Sequence, residues 1–228
     1  MELVEALKAL SDQERIKKIA YYAPTAMKVL GVSSPDVKSV IREIRDKYKE
    51  LEEREWIAVC KELVSLNIFE CQAVAFEIID RNKRILSALV YEDLEGLGRN
   101  LDNWASVDFY SVAIHGVLWR KGIVTDHHIE QMLRSGNHWD RRVAVVSTVA
   151  LNLKSRGGTG DTPRTLWVCE KVADERHDMI QKALSWALRE LSKRDREAVY
   201  GFMEEHGHRL ARRVVREVNH KLEFGTKH

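Results

Sequence analysis

Cysteine is scarce in this sequence: the 228 residues include only three, and none stands in a CxxC pair. An odd number of cysteines without that spacing indicates neither a disulfide framework nor a thiolate metal site. We expect the three side chains to be reduced and mostly buried: Cys60, Cys71 and Cys169.

Long hydrophobic runs are also missing. No uncharged apolar segment approaches the ~18–20 residues that cross a bilayer, and no N-terminal segment has the apolar character of a signal peptide. The apolar fraction of 44% is still ample for a core. We therefore expect a soluble cytoplasmic protein with no membrane partner.

Proline is as rare as cysteine, with three residues in the chain. Pro35 follows Ser34 and Pro163 follows Thr162, which is the order of an N-cap residue and the first residue of a helix. These prolines therefore predict helix starts and not helix breaks.

Segments with the alternating pattern of a half-buried strand are absent. The nearest candidate, 143–149, belongs to an apolar run whose length favours a helix. Ser11 with Glu14 resembles a capping box ahead of a helix over 15–22. Apolar residues recur at helical spacing in four further segments: 37–44, 56–66, 73–79 and 180–191. The fold class predicted from these patterns is all-α.

Charge is nearly balanced over the whole chain, at +2, but it is distributed unevenly. Residues 1–114 carry more acidic than basic side chains, whereas residues 115–228 carry more basic ones and all nine histidines. The C-terminal half is therefore the candidate for contact with phosphates. A solvated helical surface with uneven charge is the simpler alternative.

The helical segments are joined by short turns, and no segment resembles a flexible linker between domains. This predicts a single domain over residues 1–228. Trp104 and Trp139 each begin a helix after an asparagine-containing turn, which suggests a repeat of about 35–45 residues. The repeat copies are degenerate. The expected architecture is a right-handed solenoid of HEAT-like antiparallel helical repeats with a concave groove.

One predicted helix, over 103–119, combines a carboxylate and an indole. Trp104 and Asp108 are four residues apart and share one face. Asp108 lies within an apolar run, where an ionised side chain is costly to bury unless it is paired or serves a site. The alternative is an aspartate hydrogen-bonded to a neighbouring helix or turn.

Arginines follow an indole at the start of the next repeat. The spacing of Arg142 from Trp139 places it on the apolar face, pointing into the protein or the groove, where it suits a phosphate or an ion pair with Asp108. Arg141 fits an ordinary surface charge. Further along, Lys182 precedes Trp186 by one helical turn, and Trp186 could equally be a core residue.

Three strings in this order resemble the AlkD-like DNA alkylation repair family: Asn-Trp-x-x-x-Asp at 103–108, Asn-x-Trp-x-x-Arg at 137–142 and Gln-Lys-Ala-x-x-Trp-Ala-Leu-Arg-Glu at 181–190. Tyr22, the Leu-Gly-Val string at 30–32 and the Ser-Pro pair at 34–35 also resemble the start of that family, so the resemblance covers nearly the whole chain.

The resemblance implies a DNA glycosylase that hydrolyses the N-glycosidic bond of N3- or N7-alkylated purines in duplex DNA. Asp108 would stabilise the oxocarbenium-like transition state, Trp104 and Trp186 would flank the lesion, and Arg142 would anchor a phosphate. Other DNA contacts are assigned to one tyrosine and five basic residues: Tyr22, Arg141, Lys182, Arg189, Arg212 and Arg213. Neither a cofactor nor a metal is expected. The protein is expected to be a monomer that joins the nucleoid when it binds DNA.

Two other functions compete with this interpretation. A non-catalytic HEAT-like protein could bind damaged or branched DNA, and Asp108 argues against it. A HEAT-type adaptor for protein partners would have an apolar groove and little salt-dependent DNA binding, and the paired arginines and basic C-terminal half argue against that.

Overall fold

The computed structural model describes residues 2–226, and the chain divides into two compact units, Met1–Phe109 and Tyr110–His228. Over the described residues the chain is helical, with no strand and one isolated β-bridge, between Lys28 and Ile68. The prediction of an all-α fold is confirmed. The single domain, the right-handed solenoid and its groove stay predictions.

The N-terminal unit is organised around α4, which packs against α5, α6 and α7, while α3 packs against α1 and α5. The apolar positions predicted at helical spacing in α3, α4 and α5 are buried there. Its helices are α1 (Glu2–Ala9), α2 (Gln13–Tyr22), α3 (Ser34–Lys47), α4 (Glu53–Ser65), α5 (Phe69–Arg81), α6 (Lys83–Ala88), α7 (Asp93–Leu97) and α8 (Trp104–Tyr110).

The C-terminal unit has a row of helices that pack together: a π-helix and α9, then α11, α13 and α15, with α10, α12 and α14 beside them. Burial of α11 from Arg142 to Asn152 makes it the centre of this unit. The elements are the π-helix (Ser111–His115), α9 (Gly116–Arg120), α10 (Asp126–Leu133), α11 (His138–Asn152), a 3-10 helix (Lys154–Arg156), α12 (Thr162–Lys171), α13 (Asp178–Leu191), α14 (Arg196–His206) and α15 (Arg212–Phe224).

Three helix caps differ from the sequence prediction by one residue. Asp12, and not Ser11, caps α2, because the Ser11 hydroxyl donates to the carbonyl oxygen of Leu30 at 2.7 Å. Ser33 caps α3 and Asp161 caps α12, each through a side-chain oxygen that accepts a backbone N–H. The two prolines therefore occupy the second helical position, where their missing N–H is equally harmless.

The cysteines are buried, with free thiols, as predicted. Burial raises the pKa of Cys60 and Cys71 to about 12 and raises the pKa of Cys169 as well. Within residues 2–226, no helix combines the length and the apolar character needed to cross a membrane.

The π-helix was not predicted, and its last residue is a buried histidine. His115 is 2% exposed, and its Nδ1 is hydrogen-bonded to the hydroxyl of Ser147 on α11 at 2.8 Å. The next residue, Gly116, brings α9 so close to α11 that an added Cβ would lie 2.5 Å from the carbonyl oxygen of Ser147. Desolvation, with a smaller contribution from the charge of His128, lowers the pKa of His115 to about 3.

This buried histidine predicts a loss of stability in mild acid. Between pH 6.5 and 3 the unfolded chain protonates His115 and the folded chain does not, so stability falls as the pH falls, by up to about 1.4 kcal/mol per pH unit. At pH 5 we expect the neutral, buried His115 to lower the free energy of unfolding by about 2 kcal/mol relative to neutral pH. Urea unfolding across this range should show a steeper pH dependence for the wild type than for His115→Gln, and equal slopes would contradict the assignment.

Candidate functional site

The start of α8 is tied to the loop that follows α2. Asn103 caps the helix by accepting the N–H of Ser106 at 3.0 Å. The preceding carboxylate, Asp102, accepts the hydroxyl of Thr25 and the N–H of Ala26, both at 2.5 Å. These bonds fix the end of α2 against the first turn of α8.

Tyr22 and Trp104 meet at this junction. The indole N–H of Trp104 donates to the carbonyl oxygen of Tyr22 at 2.8 Å, and the two rings lie edge to face with centroids 5.2 Å apart and planes at 78°. Tyr22 is 70% exposed and Trp104 is half-buried. Nothing in the sequence indicated that Tyr22 and Trp104 are in contact. In the structure they form one aromatic pair, whose tyrosine ring is open to solvent.

Asp108 lies one turn after Trp104 on the same face of α8, and it is half-buried. Its neighbour Phe109 stacks on Phe76 of α5, with ring centroids 6.2 Å apart and planes at 16°. This packing holds α8 against the core of the N-terminal unit. A carboxylate and an indole therefore share one face of a well-anchored helix, and the indole is paired with Tyr22 of α2.

The two arginines at the start of α11 are both held by the protein. Arg142 is only 4% exposed, and its Nη1 donates to the carbonyl oxygen of Met179 at the start of α13. Arg141 donates to the carboxylate of Glu175 at 3.1 Å and to the carbonyl oxygen of Ser135 at 2.8 Å. Arg142 points into the protein, which is one of the two directions that its spacing allowed. Arg141 is not the free surface charge that the sequence suggested.

Solvent-accessible basic groups gather at the starts of α13 and α15. Lys182 forms an ion pair of 2.7 Å with Asp178, and Arg213 forms a second ion pair with the same carboxylate. Arg212 is exposed at the start of α15, and Trp186 lies half-buried one turn after Lys182. Lys182 and Arg213 thus share one carboxylate, so this group of three charges carries a net charge of about +1.

Arg189 links helices within the C-terminal unit. Its guanidinium is 3.9 Å from the carboxylate of Glu217 on α15, and the hydroxyl of Ser185 donates to that carboxylate at 2.6 Å. Burial lowers the pKa of Arg189, and the charge of Glu217 partly opposes this. This geometry favours a structural role for Arg189, and its contact with DNA stays a prediction.

Two features escaped the sequence, one in each unit. Asp102 has no local pattern that marks it, because its partners Thr25 and Ala26 lie far away in the chain. His138 and His177, at the starts of α11 and α13, stack with ring centroids 4.1 Å apart, and burial together with His177 lowers the pKa of His138.

Metal ligands do not cluster in the part of the chain that the structure describes: residues 2–226 contain no group of three or more histidine, cysteine, aspartate or glutamate side chains placed to hold a metal ion.

Similarity to known proteins is found at the levels of sequence and of fold. The profile of a family described as DNA alkylation repair enzyme matches residues 3–222. A solved structure described as a predicted DNA alkylation repair enzyme from Enterococcus faecalis is similar with a TM-score of 0.73 and 17% identity, over 95% of this chain and 98% of that chain. At this identity the likeness shows the fold alone. No curated protein matches the sequence.

Proposed function

The chain belongs to the DNA alkylation repair enzyme family, and from that premise we propose that it is a DNA glycosylase that releases N3- and N7-alkylated purines from duplex DNA. The observation that carries the proposal is the arrangement on α8, where Asp108 follows Trp104 by one turn and Trp104 is hydrogen-bonded to the exposed Tyr22. A carboxylate beside aromatic rings suits a reaction in which positive charge develops on a sugar.

The reaction is a hydrolysis. An N3- or N7-alkylated purine is cationic, so the bond from C1′ to the purine nitrogen breaks with its electron pair moving to the base, which leaves neutral. The sugar becomes oxocarbenium-like, and Asp108 opposes that charge. A water oxygen then bonds to C1′ and loses a proton to Asp108 or to solvent, leaving an abasic site. Because the leaving group is already activated, this scheme requires no cofactor.

The aromatic residues would hold the lesion and exclude water from one side of it. The faces of Tyr22 and Trp104 attract a cationic base by cation–π interaction, worth about 0.5–2 kcal/mol for each contact. Trp186 is proposed as a second aromatic wall. Because the lesion is cationic, the same rings would distinguish it from a neutral purine.

Duplex DNA would be held by charge. We assign backbone contacts to the solvent-accessible cations of α13 and α15, which are Lys182, Arg212 and Arg213, with Arg141 and the buried Arg142 on α11. Each neutralised phosphate releases counterions, so binding would weaken steeply with salt. We further propose a monomer that acts in the cytoplasm and on the nucleoid.

Arg142 provides a test of this electrostatic assignment. If Arg142 contacts a phosphate, Arg142→Ala lowers the slope of log affinity against log salt by about 0.9. Binding of a fluorescent duplex at several salt concentrations measures the slope, and Arg134→Ala, which removes an exposed charge paired with Glu130, is the control. An unchanged slope with lowered thermal stability would mean that Arg142 serves the fold through its bond to Met179.

The direct test of the function is release of the base from a duplex that carries an N7-alkylguanine or N3-alkyladenine. We expect release well above the spontaneous rate of the same DNA without protein. A wild-type protein that binds this duplex but never exceeds the spontaneous rate would favour the alternative, a non-catalytic protein that binds damaged or branched DNA.

A further inference from the structure

A basic cleft opens in the N-terminal unit, where the last turns of α3, the start of α4 and the junction of α5 with α6 meet. Its volume is about 560 Å³. The floor contains Trp56, Ile41 and Ile85, which are all buried. Six cationic side chains line it: Lys38, Arg42, Arg45, Lys49, Arg81 and Arg84.

The positive charge of this cleft is poorly compensated by the protein. Of the six cations, Arg81 is paired with Glu77, and the other five form no ion pair with a carboxylate in the described part of the chain. Two carboxylates, Asp46 and Glu53, also line the cleft. Unpaired cations crowded together repel one another, so an anion in the cleft would relieve a repulsion that the fold does not relieve by itself.

The spacing of the cations favours a repeating anion over a single one. Lys38, Arg42 and Arg45 follow one another at intervals of four and three residues, so they form a stripe along one face of α3. At 1.5 Å of rise per residue this stripe is about 10 Å long. One strand of duplex DNA rises about 3.4 Å per phosphate along its axis and also winds around that axis, so neighbouring phosphates are farther apart than this rise. The stripe is long enough to lie beside two successive phosphates.

The basic cleft and a second cleft in the same unit share one lining residue. Lys38 also lines a second, mostly apolar cleft of about 230 Å³, whose wall includes Ala105 and Phe109 of α8. Both clefts lie wholly within the N-terminal unit. Lys38 therefore lies between the basic cleft and the cleft that α8 lines.

We propose that the basic cleft binds the sugar–phosphate backbone of DNA outside the lesion, as a second anchoring site on the half of the chain that is acidic overall. This inference rests on the proposed function for its choice of ligand. It assigns to Lys38, Arg42, Arg45, Lys49 and Arg84 a role in holding DNA that is independent of the C-terminal basic surface.

The experiment compares two double variants with the same change in charge. Arg42→Gln/Arg84→Gln removes two cations of the cleft, one from α3 and one from α6. Lys47→Gln/Lys83→Gln removes one cation from each of the same helices, and neither lysine lines the cleft. Affinity for an undamaged duplex is measured at several salt concentrations, and inorganic phosphate is tested separately as a ligand by calorimetry.

The cleft variant should lower the slope of log affinity against log salt by about 1.8, and should weaken binding tenfold or more at about 0.1 M salt. The control variant should keep the wild-type slope. Equal slopes for the cleft variant and the control variant would overturn the proposal. It would also be overturned if inorganic phosphate bound the wild type and not the cleft variant, while the two proteins bound DNA equally well. Binding of an undamaged duplex requires no excision. A wild type that binds DNA but releases no base would therefore contradict the proposed glycosylase activity and leave the proposal for the basic cleft standing.

Discussion

Replacement of Asp108 by asparagine is expected to lower the single-turnover rate of base excision about a hundredfold. Asparagine keeps the size and the hydrogen-bonding capacity of the side chain, but it removes the charge that opposes the cationic sugar. A hundredfold loss corresponds to about 2.7 kcal/mol of transition-state stabilisation. Binding of undamaged DNA should survive and tighten slightly, because a carboxylate no longer repels the phosphates.

The measurement is base release from an N7-alkylguanine duplex at saturating protein, with the rate for DNA alone subtracted. Asp102→Asn is an informative comparison, because it also removes a carboxylate near the start of α8. The carboxylate of Asp102 contacts the loop after α2 and is not part of the proposed reaction centre. Equal excision by Asp108→Asn and wild type at matched binding would rule out the carboxylate mechanism.

Glu70→Ala is expected to lower the free energy of unfolding by about 4 kcal/mol. Glu70 is 2% exposed, and its carboxylate accepts the backbone N–H groups of Leu30, Gly31 and Val32 at 2.9, 2.7 and 3.3 Å. Alanine would leave three buried donors without an acceptor, and each costs about 1–3 kcal/mol. Urea unfolding with an unchanged m-value would measure the loss.

The control for this prediction is Glu62→Ala, which removes an exposed carboxylate from α4. Glu70→Gln should fall between wild type and Glu70→Ala, because its amide oxygen can still accept backbone hydrogen bonds. A loss no larger than that of the control would show that the loop does not depend on Glu70. The loop matters for the site since Leu30 also accepts the N–H of Asp12, the cap of α2, and α2 carries Tyr22.

Helix caps show how far local reasoning extends. The sequence placed helices correctly at α3, α4, α5, α11 and α13, because apolar spacing reports directly which side of a helix is buried. It misplaced the caps of α2, α3 and α12 by one residue. At α2 the reason is tertiary: the Ser11 hydroxyl is drawn to the carbonyl oxygen of Leu30, so Asp12 takes its place.

Charge shows the opposite limit. The halves of the chain differ in net charge as the sequence indicates, and that difference pointed to the C-terminal half alone as a DNA contact. The basic cleft lies in the acidic half, because α3 brings its cations to one face while Arg81 and Arg84 arrive from α5 and α6. The net charge of half a chain is a sum over all its residues, and it does not show where the folded protein places its charges close together.

By itself, the sequence determined the all-α class, the resemblance to the family and the position of Trp104 and Asp108 on one helix face. All three depend on residues that are close together in the chain. Only the tertiary structure decided which of these groups meet distant partners. It brought Tyr22 to Trp104 and buried Arg142 at α13. It also turned Arg189 toward Glu217. Such contacts join positions far apart in the chain, and helical periodicity carries information over only a few turns, so no local pattern could have encoded them.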